Sequence, residues 1–160
     1  MDERSPDQRP PGLQRLAVAS FINQGMVFLV YFFGFFMALF MRSMDVEELV
    51  DMMRTQYDGL IGEQDLDQVE VYTRVLHEHG LALMGVFLLR TVARFVGVLR
   101  MWQRHPDGFH FYTSAQLLGI LLPMLIGGNI FFSFFGLVAV VLWCLMYHQQ
   151  RDWWRTGTAA

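Results

Sequence analysis

The chain has 160 residues, of which 54% are hydrophobic and only 17% charged, with a formal net charge of −3. Its mean hydropathy is +0.32. This composition excludes a disordered chain and a nucleic-acid-binding domain, and a lone Cys144 excludes a disulfide-stapled module or a CxxC redox couple.

The distribution says more than the totals. Apolar residues gather in long runs and charges lie between them. The cations are all Arg, with no Lys, and ten of the fifteen acids fall between Asp45 and Glu78. An integral membrane protein is the expected class, all-α, with the lipid bilayer as its first partner.

Residues 1–14 are polar and Pro-rich and read as a disordered tail. Residues 15–41 form the first span. Its uncharged part, Leu16 to Met41, extends about 39 Å as a helix, enough to cross a ~30 Å hydrocarbon core with tilt. That length suits a retained anchor rather than a cleaved signal.

Residues 42–79 form an acidic helical segment outside the membrane. Val46, Leu49, Val50, Met53, Tyr57 and Leu60 recur at three- and four-residue intervals, which predicts an amphipathic helix. Ser43 or Asp45 is its expected cap, and Gly59 and Gly62 its end. A second helix opens among the acids of residues 63–67, with Val69, Tyr72, Leu76 and Leu83 on one side. Only Gly80 interrupts it, so it is expected to run on into the second span, residues 80–102.

Residues 103–110 are a polar turn, with Pro106 and Gly108 as helix stops. From Phe109 to His148 there is no Asp, Glu, Lys or Arg. One helix of that length would extend about 60 Å, twice the core thickness. Gly127-Gly128-Asn129 is a turn signal and divides the run into a third span, 111–127, and a fourth, 130–148. A polar tail, 149–160, follows. The predicted fold is an integral membrane four-helix bundle with an extracytoplasmic amphipathic segment between spans 1 and 2.

Four spans put both termini on one side. Arg4, Arg9, Arg15, Arg100, Arg104, Arg151 and Arg155 all fall there, opposite the acidic segment. The positive-inside rule makes that side the cytoplasm, and Trp102, Tyr112, Trp153 and Trp154 would form its aromatic belt. A bacterial plasma membrane is the expected location.

Arg90 and Arg94 are the most informative residues. Their i, i+4 spacing places them on one face of span 2, with Leu83, Gly97 and Met101. A guanidinium near a span centre costs roughly 2.5–3.5 kcal/mol and needs partners. No span contains Asp or Glu. The groups at matching depth are Asn23 and Gln24 in span 1 and Gln116 and Tyr112 in span 3. Three destinations remain open: snorkelling to lipid phosphates or structural hydrogen bonding, an anion or headgroup site, and a carboxylate on another subunit. The sharpest expectation is one polar pocket of Arg90, Arg94, Asn23, Gln24, Gln116 and Tyr112, open to the cytoplasm.

In span 3, Tyr112, Gln116, Gly119 and Pro123 form one stripe, continued by Gly127 or Ile126. It reads as a cavity wall or hinge, or as a close packing face of small residues. His77 and His79 point to opposite sides of a helix, and no His lies at mid-membrane, so neither metal nor other cofactor is expected. Asp65 and Asp67 lack the glycine turn and terminal Glu of a calcium loop.

The expected function is a non-enzymatic accessory or scaffold subunit, binding a partner membrane subunit or assembling as a homo-oligomer. The alternative is a small oligomeric transporter or channel for an anionic solute. An integral membrane enzyme ranks third, because no acid–base pair reaches the spans. The topology is testable by thiol labelling in intact cells or oriented vesicles. In a Cys144→Ser background, single cysteines replacing Asp58 and Thr158 should label from opposite faces. Labelling of both from one face would overturn the even crossing number.

Overall fold

The computed structural model describes residues 10–128 and 133–152. Within them the chain is all-helical, with five helices: α1 (Pro11–Met41), α2 (Val46–Tyr57), α3 (Glu63–Trp102), α4 (Gly108–Gly127) and α5 (Phe134–His148). Three of these, α1, α3 and α4, are long and apolar enough to cross a membrane; α5 is apolar but has only 15 residues.

α1 begins inside the stretch expected to be a disordered tail. Pro11 occupies its first position, where a missing N–H is no loss, and Leu13 and Ala17 are already buried. Of its 31 residues only Leu13, Ala17, Ser20, Gln24 and Ala38 are buried. These recur at three- and four-residue steps, apart from the gap before Ala38, and mark the face turned to α3.

α2 starts at Asp45, whose carboxylate accepts from the backbone N–H groups of Glu47 at 2.9 Å and Glu48 at 3.4 Å. Ser43 instead returns its hydroxyl to the Phe40 carbonyl at the end of α1. Gly59, at φ +76°, takes the chain out of α2. Leu60, expected on the apolar stripe, lies beyond that break and is exposed.

α3 runs unbroken for 40 residues through Gly80, about 60 Å. Its first half carries α2. Leu49 and Val50 of α2 are buried, and so is Thr73 of α3. Tyr72, on the side with Val69 and Leu76, is exposed. Arg74 clasps both Glu47 carboxylate oxygens at 2.8 Å and Glu70 at 3.0 Å, while Arg54 reaches Asp67 at 3.3 Å. Hydrogen bonding to Arg74 holds the Glu47 carboxyl below the usual carboxylate range, and Glu47 in turn raises Arg74. A His77 ring nitrogen lies 3.1 Å from the Met44 carbonyl and pins the α1–α2 turn to α3.

The second half of α3 is the spine of the remaining helices. α1 packs antiparallel along it. Phe21 meets Phe95 at 5.1 Å, Tyr31 stacks on Phe87 at 4.9 Å, and Gly34 and Gly80 give room to Met84 and Ala38. α4 packs on another side. A Cβ on Gly97 would stand 2.7 Å from the Tyr112 backbone nitrogen, so the two backbones touch there.

α3 ends at Trp102, and its stop is made by Arg104 rather than by Pro106 and Gly108. Arg104 adopts φ +65°, His105 N–H donates to the Arg100 carbonyl at 2.9 Å, and Arg104 N–H to Met101 at 3.2 Å. This is a Schellman ending with an arginine in the left-handed position usually held by glycine. Gly108 is spent on close approach to Met101, so α4 starts inside the expected turn. Asp107 pairs with Arg100, whose guanidinium also lies 4.8 Å from the Phe111 ring.

α5 joins the others at its C-terminal end. Leu13, Ala17, Val98, Met101, Tyr112 and Tyr147 form one buried cluster from four helices. Tyr147 donates to the Leu16 carbonyl at 3.2 Å, and its hydroxyl lies 2.6 Å from that of Ser20. Toward its start α5 exposes Phe134 and Phe135, and Ser133 caps it by accepting from Gly136 N–H at 3.1 Å. The four helices therefore converge at one end. The expected fourth span began at 130; residues 130–132, like Asn129, Trp153 and Trp154, lie outside the described residues.

Gly128 ends α4 at φ 70° and ψ −162°, a region that only glycine enters without strain. Gly128→Val should cost about 1–3 kcal/mol in reversible unfolding. Gly85→Ala, with nothing within 4 Å of an added Cβ, should be silent. Equal stability for the two variants would refute a required glycine at Gly128.

Candidate functional site

The stripe that α3 turns toward α4 carries Leu83, Arg94, Gly97 and Met101, all buried. Arg90 belongs to the same stripe and is partly buried. The facing stripe of α4 is Tyr112, Gln116, Gly119 and Pro123, also buried. The polar members of the two stripes form one line. Arg90 Nη2 donates to Gln116 Oε1 at 2.8 Å, and Gln116 Nε2 donates to the Tyr112 hydroxyl at 3.0 Å. The Arg94 guanidinium lies 5.8 Å from the centre of the Tyr112 ring, within cation–π range. Arg94 is only 8% exposed.

Both guanidiniums are thus held between helices. Neither is fully matched, because the Nε atoms of Arg90 and Arg94 are buried with no acceptor among the described residues. Gly119 makes the Arg90 position possible. A Cβ there would collide with the Arg90 stem at Cδ and Nε. The stripe read as a cavity wall, hinge or packing face therefore has a more particular task, and the fit of Gly119 to Arg90 is what sequence reasoning missed. Its signal was present but unreadable: a small residue one turn after Gln116 has meaning only once Arg90 is known to lie opposite.

Asn23 and Gln24 part company. Adjacent helical positions lie about 100° apart. The buried face through Ala17, Ser20 and Gln24 therefore turns Asn23 outward, where it is exposed. Gln24 is 1% exposed, and both its amide atoms lack a partner among the described residues. It lines a cavity of about 240 Å³ between α1 and α3, with Phe21, Phe28, Thr91 and Phe95. Thr91 turns its hydroxyl back to the Phe87 carbonyl at 2.8 Å.

Arg90 lines a second cavity, also about 240 Å³, on the α3–α4 side, with Leu89, Ala93, Ala115, Leu118 and Gly119. Arg90, Arg94, Gln116 and Tyr112 are thus brought together, while Gln24 and Arg90 line separate cavities on different sides of α3. The end bearing Arg100 and Arg104 is filled by the apolar cluster of Leu13, Ala17, Val98, Met101, Tyr112 and Tyr147. Packing of four helix ends produces that plug, and no single-helix pattern reveals it.

With this geometry in view, the chain was compared with known proteins: no family model, no curated protein and no solved structure matches it.

The Arg90–Gly119 fit is testable by a double-mutant cycle. Gly119→Ala should destabilise the protein by about 1–3 kcal/mol, the usual cost of overpacking. In an Arg90→Ala background the same change should cost about 0.5 kcal/mol or less, because the stem it strikes is gone. Additive losses would show that Gly119 does not house Arg90.

Proposed function

We propose that this chain is a four-span integral membrane protein that acts as a non-catalytic accessory or scaffold subunit. In this reading α1, the second half of α3, α4 and α5 cross the membrane, with both termini in the cytoplasm. α2 and the first half of α3 stand outside it on the other side.

The membrane reading is supported by three helices of spanning length and by the apolar residues left exposed around α1, among them Ile22, Met26, Phe33, Phe36 and Phe40. A helix apolar all round belongs in lipid or in a larger core. The orientation is supported by Arg15, Arg100, Arg104 and Arg151, which lie at the helix ends that meet in the apolar plug, opposite the acids of α2 and early α3.

The observation that carries the subunit reading is the continuous α3. One rigid helix joins the membrane half to a projecting arm, and α2 braces that arm through Arg74, Glu47 and Glu70. The arm exposes Leu60, Val71 and Tyr72 in a region that lipid does not cover. Such a device suits the holding of another protein. The polar line from Arg90 to Tyr112 favours the second reading, an oligomeric transporter for an anionic solute, but the apolar plug stands across its cytoplasmic exit.

Native membranes solubilised in mild detergent separate the two. A discrete assembly larger than any homo-oligomer, weakened by Tyr72→Asp, is expected for the subunit. A homo-oligomer whose stability rises with added inorganic anion would replace that reading with the transporter.

A further inference from the structure

We propose that the lateral groove between α3 and α4 receives a membrane-spanning helix of a different polypeptide, which presents one Asp or Glu to Arg90. The inference rests on the subunit reading and names the chemistry of an intramembrane partner.

The first argument is unmet charge. A guanidinium offers five N–H donors in a planar fork. Arg90 gives Nη2 to Gln116, and its Nε is buried without an acceptor among the described residues. A neutral amide does not balance a buried cation, and Arg94 one turn away adds like charge on the same face. A carboxylate balances it, and can take two of the remaining donors at once.

The second argument is the shape of the groove. Ala93, Ala115 and Gly119 keep its walls low, and Leu89 and Leu118 stand exposed at its rim. Small residues between apolar rims let a helix approach closely in lipid. Water or a mobile ion would find an apolar lining there instead.

The third argument identifies the source of the carboxylate. A second copy of this chain has none to offer, because residues 80–102, 108–148 and 11–41 contain no Asp or Glu. A lipid phosphate lies too far away. Arg90 is twelve residues from Trp102 and ten from Gly80, about 18 Å and about 15 Å along the helix. It therefore sits near the middle of a ~30 Å core, whereas headgroups remain at its surfaces. Its guanidinium is also turned inward to Gln116 rather than along the helix toward either surface. Only a side chain carried on another spanning helix delivers a carboxylate to that depth.

The test uses the full chain in phosphatidylcholine vesicles. The probes are two synthetic Leu/Ala-rich transmembrane helices that differ only in a central Glu or Gln, with association read by energy transfer. The wild-type chain should bind the Glu helix about tenfold more tightly than the Gln helix. Arg90→Met should reduce that ratio to about one. Because the Glu/Gln ratio is measured on the wild-type chain, a variant that fails to fold does not remove the test.

Equal binding of the two helices by the wild-type chain overturns the proposal. So does a preference that survives Arg90→Met. A preference abolished by phosphatidylglycerol in the vesicles also overturns it, and assigns the groove to an anionic lipid. If the preference is absent while the native hetero-assembly stands, the Arg90 site falls and the subunit reading survives. If the native protein is a homo-oligomer, the subunit reading itself falls.

Discussion

Two guanidiniums on one face of the apolar second half of α3 must be enclosed, and much of this structure follows from that need. A buried charge is costly unless it meets polar groups, and the second half of α3 has no carboxylate to give it. Gln116 and Tyr112 on α4 supply an amide and an aromatic face instead. To bring them within reach, α4 must lie almost backbone to backbone with α3. Gly97, Gly108 and Gly119 are the positions where that approach would otherwise be blocked. Arginine burial and glycine placement are therefore one arrangement seen from two helices.

α3 also unites two environments. Its second half is a spine for apolar helices, and its first half is half of an acidic hairpin. Different forces hold the two ends. At one end, packing of Leu13, Val98, Met101, Tyr112 and Tyr147 joins four helices around the Ser20–Tyr147 contact. At the other, bidentate pairing of Arg74 with Glu47 joins α2 to α3 beside a small apolar contact at Leu49 and Val50. The first is insensitive to salt. The second is exposed and weakens as ionic strength rises. The arm is thus the more salt-sensitive part of the molecule, although its backbone continues unbroken into the packed half of α3.

Several features were readable from local pattern alone. The uncharged run after Arg15 and the acid-rich start at Glu63 lie in α1 and α3, because helix propensity and hydropathy are properties of neighbours in sequence. The i, i+4 pair Arg90 and Arg94 shares a stripe with Leu83, Gly97 and Met101 for the same reason. Local pattern misled where two signals competed. Pro106 and Gly108 look like the helix stop, yet Arg104 takes the left-handed position and Gly108 serves a contact. Depth counting placed Asn23 beside Gln24, but rotation about the helix axis separates them.

By itself the sequence determined the all-helical class, the apolar runs and their lengths, the gathering of acids in one segment, and the presence of two cations with no counter-charge in any apolar run. These depend on composition and on the 3.6-residue period, which act along one chain. Only the tertiary structure decided that Gln24 rather than Asn23 turns inward, and that Gly119 houses Arg90. Only it decided that Gln24 and Arg90 line different cavities, and that the end bearing Arg100 and Arg104 is filled by an apolar cluster. Those outcomes depend on the relative rotation and register of packed helices. Side-chain volumes at the contacts set both, and no single helix carries that information.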